Sequence, residues 1–244
     1  MGNICSQLAI SIYSGGITML TTIKKAFITA GTCSLLLASP FALADKNDHE
    51  SVYRVTITNI TNSINFTPIL VSSHRKGVSI IELGSVASAE ITAIAEGGDI
   101  GPLTTTLNKN SKVIDVQNSA GLLGPGQSVE VEVSANNGAK HISLASMMLP
   151  TNDGFIALNS VKAPKHGSVT YYSPGYDAGK EINDEWCVNI PGPTCGGVGP
   201  SAEDGEGFVH INRGIQGIGD LSADVYDWRN PVAKITISRV RDHD

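Results

Sequence analysis

Valine and glutamate alternate without interruption through "SVEVEV" (128–133). The period of two predicts a strand with valines on a core and glutamates in water, the mark of an antiparallel sheet packed on one side. Residues 52–60, "VYRVTITNI", repeat the pattern with Tyr53, Val55 and Ile57 on one face. Similar runs at 111–117, 140–149, 155–161, 167–173, 207–212 and 232–240 predict six more strands. Turn chemistry separates them in "GPGQ" (124–127), "NNG" (136–138), "TNDG" (151–154) and "SPG" (173–175). Residues 82–99 differ: Val86, Ala89, Ala93 and Ile94 fall at helical spacing, Ser85 or Ser88 can cap, and Gly97-Gly98 ends the run. Many short strands with one or two short helices in connections predict a mainly β, two-sheet antiparallel sandwich.

The N-terminal region does not fit that pattern. Residues 19–44 carry Lys24 and Lys25, then an apolar run, then Ala42-Leu43-Ala44, the form of a secretory signal peptide. The run is short for a membrane span. Met19 is the expected start, and one domain is expected over 45–244, periplasmic or secreted, with no transmembrane segment after signal removal. Removing two of the 17 basic residues and none of the 23 acidic ones leaves 15 − 23 = −8. That charge excludes nucleic acid, which calls for a basic face. It also argues against electrostatic capture by anionic lipid. Only Cys187 and Cys195 remain beyond the leader, and two cysteines in an exported chain are expected to pair.

Enzyme signatures are missing: no G-x-S-x-G, H-E-x-x-H, Walker A loop or dinucleotide-binding glycine pattern occurs. His49, His74, His141, His166, His210 and His243 stand at no ligand spacing from one another. His210, between Val209 and Ile211, reads as a hydrogen-bonded polar-face residue; Trp186 and Trp228 read as packing residues. Acids are the remaining candidates. Asp177, Glu181, Asp184 and Glu185 crowd into "YDAGKEINDE", Asp153 lies in a turn, and Glu96 ends the helical segment. Calcium takes six to eight oxygens held on loops. Residue chemistry alone leaves two readings open, solvated surface acids or a site assembled from separate loops.

Longer motifs bear on that choice. "YRVTITNIT", "FTPILVSSH" (66–74), "ASAEITAIAEGGD" (87–99), "SLASMMLPTNDGFIALNSV" (143–161) and "YDAGKE" (176–181) together resemble the spondin N-terminal domain, the F-spondin/mindin-type module, in its exported bacterial form. The resemblance implies a C2-like sandwich of about eight strands holding a Ca2+ ion between loops at one end. It implies Asp153, Asp177 and Glu181 as metal ligands, with Glu96 a further one. Gly154 stands where the family has Trp, and Lys180-Glu181 where it has Thr-Asp. The expected role is a binding or adhesion-type module for an envelope, polysaccharide or protein ligand, without catalysis. The alternative is a metal-assisted hydrolase using the acidic loop residues.

Overall fold

The computed structural model describes residues 51–200 and 205–241, and the leader expected over 19–44 lies outside them. The chain divides after Lys46, and the unit Asn47–Asp244 carries everything below. Its order is β1 (Ser51–Asn59), β2 (Asn65–Phe66), β3 (Leu70–His74), α1 (Ala89–Gly97), α2 (Gly101–Asn108), β4 (Val113–Asn118), β5 (Ser128–Ser134) and β6 (His141–Leu149). Then come β7 (Gly154–Lys162), β8 (Ser168–Ser173), β9 (Gly175–Asp177), β10 (His210–Ile211), α3 (Ala223–Tyr226) and β11 (Ala233–Arg241). One sheet runs β5-β1-β11-β8; the other runs β10-β9-β7-β6-β3-β4, with β2 pairing β6. All pairs are antiparallel, so the expected sandwich is present.

Alternation fixes the first sheet. Tyr53, Val55 and Ile57 of β1 are buried, as are Val131 and Val133 of β5, while Glu130 and Glu132 face solvent. Val55 lies opposite Val131 on one side and Ile237 on the other. These side chains meet Ile142, Leu144, Ile156 and Leu158 of the second sheet to form the main core. On the wet face Arg54 pairs with Glu132 at 2.9 Å.

The second sheet is covered on both faces. Leu70, Ala145, Phe155 and Ala157 look away from the main core and pack under Ile91, Ile94 and Ala95 of α1 and Leu103 and Leu107 of α2. This is why β6 reads "ISLASMML" with no polar face: apart from small serines, both sides need apolar atoms. Helix α1 forms as its ends predict. The Ser88 hydroxyl accepts the Ile91 N–H, and Gly98 at φ 68° closes the C-terminus with its N–H on the Ile94 carbonyl.

Three expectations change. Eleven strands replace about eight, because β2, β9 and β10 are two or three residues long. Helix α2 adds to the one placed within 82–99; its three threonines hide it, although Pro102 in its first turn is a start signal. Trp228 packs, but Trp186 is 51% exposed and does not. The expected Cys187–Cys195 disulfide is present. Its loop buries Ile190 and carries the chain back to α1, where Gly199 backs so closely on the Glu96 carbonyl that a Cβ would overlap it. Among the described residues no helix is long and apolar enough to cross a membrane.

Candidate metal site

Two acids of the family-like motifs, Asp153 and Asp177, meet at one end of the second sheet. Leaving β6, the chain turns through Thr151, Asn152 and Asp153 into β7. The Thr151 hydroxyl holds the turn, donating to the Met148 carbonyl at 2.6 Å and accepting the Gly154 N–H at 3.0 Å. A Cβ on residue 154 would sit 2.6 Å from that hydroxyl, so Gly154 follows from the way this turn is tied. Asp177, the last residue of β9, lies opposite Gly154 on one side and His210 of β10 on the other. The strand register therefore gathers Asp153, Asp177 and His210. Asp177 belongs to a strand, where the sequence suggests a loop.

Asp153, Asp177 and Glu181 are all buried, at 0%, 0% and 1% exposure. A carboxylate can be kept there only if hydrogen bonds, a proton or a cation replace its water. Asp177 has the better provision. Its Oδ1 accepts the Gly179 N–H at 2.8 Å, and its Oδ2 accepts the amides of Asn183 at 2.9 Å and Asn212 at 3.1 Å. Asp153 has donors on one oxygen only: Oδ2 accepts the N–H groups of Lys180 at 2.7 Å and Glu181 at 3.1 Å. Its Oδ1 is buried and receives no donor, with the Asp177 carboxylate as its neighbour. Burial first, and the Asp177 charge second, push the Asp153 carboxyl up to about 7. Burial also raises Asp177, while its amide donors and His210 pull the other way. Burial thus favours retention of a proton within the Asp153–Asp177 pair.

The remaining crowded acids have a different explanation. Glu185 is 2% exposed, and its side chain accepts three backbone N–H groups of the 216–218 loop: Gln216 at 2.5 Å, Gly217 at 2.7 Å and Ile218 at 2.9 Å. Asp184 accepts from Asn152, Trp186 and Asn189 at 2.9, 2.9 and 2.6 Å. These two acids hold loops together. Glu185→Ala would strand three amides, two of them bonding the same charged oxygen, and is expected to cost roughly 3 kcal/mol of stability in denaturant unfolding. A loss under about 0.5 kcal/mol would mean that water replaces the carboxylate freely.

Glu96 is half-buried at the end of α1; burial raises its carboxyl and the Lys180 charge lowers it. The set of metal-ligating side chains that converges among the described residues is Asp177, Glu206 and His210, offering one ligand atom each within 4.8 Å of one another. Neither Glu206 nor His210 is singled out as a ligand by sequence. Their placement comes from backbone contacts: Gly205 and Gly207 donate to the carbonyls of Lys180 and Gly179 at 3.1 and 2.7 Å. A Cβ on Gly179 would overlap the Phe208 carbonyl, and the residue's φ is 64°, so glycine is needed for this approach. The hydrogen-bonded-histidine reading is half right. His210 Nδ1 binds the Ile211 carbonyl at 3.0 Å, but Nε2 faces Asp177 and Glu206 at 3.5 Å each.

Two comparisons bear on this site. The family model described as Spondin_N matches residues 47–171, which include Asp153 and end before Asp177. No curated protein matches the chain.

Proposed function

The chain belongs to the spondin N-terminal family, and on that premise we propose that it is an exported binding module stabilised by calcium held at Asp153, Asp177 and Glu181. The observation that carries this reading is the buried Asp153–Asp177 pair, with the Asp153 Oδ1 left without a donor. A hard divalent cation satisfies such oxygens and cancels the repulsion that otherwise keeps a proton on the pair. Glu181 is drawn in by its own N–H on Asp153. Export is supported by the disulfide, a bond that persists in oxidising compartments. The partner is an envelope component, a polysaccharide or a protein, reached from the loop end of the sandwich.

A metal-assisted hydrolase is the second reading, because Asp153, Asp177 and His210 do come together. Against it, three of the four oxygens of Asp153 and Asp177 already hold loop amides or asparagines, which suits a structural ion better than a reacting one.

Thermal unfolding tests the calcium reading. At a hundredfold excess over its dissociation constant, calcium should stabilise by about 2.7 kcal/mol, raising the melting temperature of a chain this size by roughly 5–10 °C. A chelator should reverse the gain. Asp177→Asn should remove most of it, and Asp224→Asn, an exposed acid on α3, should leave it intact. A melting temperature indifferent to calcium and chelator would refute the reading.

A further inference from the structure

Glu206 and His210 have no part in the calcium reading, yet they face its central residue. His210 Nε2 is buried and has no hydrogen-bond partner. It lies 3.5 Å from Asp177 Oδ1 and 3.5 Å from Glu206 Oε2. At 3.5 Å neither contact is a close charge-assisted hydrogen bond, which would stand at about 2.7–2.9 Å. Ligands about 2.1 Å from a tetrahedral zinc ion stand about 3.4 Å apart, the separation found here on both edges. Nδ1 donates to the Ile211 carbonyl, which can only accept, and this leaves Nε2 as the ring nitrogen that faces the two carboxylates. Metal-binding histidines are oriented in this way by a carbonyl or carboxylate behind them. The Phe208 ring, 5.2 Å from the imidazole, packs beside it.

We infer that Asp177, Glu206 and His210 form a binding site for a divalent transition ion of the zinc class. Calcium prefers oxygen alone, whereas an imidazole with two carboxylates suits zinc and its neighbours. The site shares Asp177 with the proposed calcium ligands and nothing else. Glu206 is exposed, so the ion enters from solvent, and water takes the fourth position.

The test uses the untagged full chain after chelator treatment, with Zn2+ in calorimetry and Co2+ as a visible-absorption probe. One ion per chain is expected, and cobalt should give the strong absorption of a four-coordinate ion. Glu206→Gln and His210→Gln should each weaken zinc binding by roughly tenfold or more, since even an outer-shell partner costs that much. Both should keep the thermal shift produced by calcium. Asp153→Asn should do the reverse, losing the calcium shift and keeping zinc and cobalt. Failure of the calcium reading and failure of this one are therefore separable. Glu206 is exposed, so its variant folds even if His210→Gln does not. Absence of saturable zinc binding, or equal affinity in the native chain and Glu206→Gln, overturns the inference.

Discussion

Asp153→Asn is expected to stabilise the metal-free protein most at pH 8 and clearly less at pH 5. Burial and the Asp177 charge push the Asp153 carboxyl from its ordinary 3.8 up to about 7 in the folded protein, so between those values the folded state holds the extra proton. A raised carboxyl contributes most at low pH, and its contribution is lost as pH rises through about 7. The loss is on the order of 2–4 kcal/mol when complete, at about 1.4 kcal/mol per pH unit. The asparagine side chain would mimic the protonated acid: its oxygen can take the Lys180 and Glu181 N–H groups, and its NH2 can donate to Asp177. Raised Asp177 works in the same direction. With calcium the sign should reverse, because the native pair gains an ion that the variant cannot hold. Denaturant midpoints at both pH values, with and without calcium, check all four cases. Equal stability of variant and native protein at pH 8 without metal would contradict the account.

Val131→Asp is expected to unfold much of the molecule. Val131 is 5% exposed, lies opposite Val55 and packs into the core between the sheets. An aspartate there has no cation to pair with and must ionise in apolar surroundings or lift its pKa sharply. A cost of about 4 kcal/mol or more follows, a large part of the stability of a domain this size. Glu132→Gln, one residue away on the wet face, loses only an exposed ion pair with Arg54 and should change stability by less than about 1 kcal/mol. Circular dichroism and urea unfolding of the two variants measure the contrast. Similar behaviour would mean the register of β5 is wrong by one residue.

The difference between those neighbouring residues was legible in the sequence because β5 has one wet face. Elsewhere the signal was weaker for identifiable reasons. "SLASMML" shows that β6 is buried, but a continuous apolar run does not say what covers its second face; the cover is α1 and α2, the latter written in threonines. Strands β9 and β10 are too short to show a period, yet their pairing builds the site. Asp153 and Asp177 were singled out because each belongs to a motif resembling the family's, and the fold places them side by side. Glu206 and His210 are brought to Asp177 by cross-strand register and by the Gly179–Phe208 contact, which no linear spacing records. Asp184 and Glu185 have the composition of a cation site, but their partners are loop amides and asparagines far along the chain.

The central claim is that a cation takes the place of the proton on the Asp153–Asp177 pair. Calorimetric calcium titration at pH 6, in buffers of different ionisation enthalpy, measures that exchange directly. With Asp153 titrating near 7, the metal-free pair is mostly protonated at pH 6, and binding should release close to one proton per calcium ion. The release should shrink as the pH rises above about 8 and vanish in Asp153→Asn. Calcium binding with no buffer dependence at pH 6, or no calcium binding at any pH, would contradict the account.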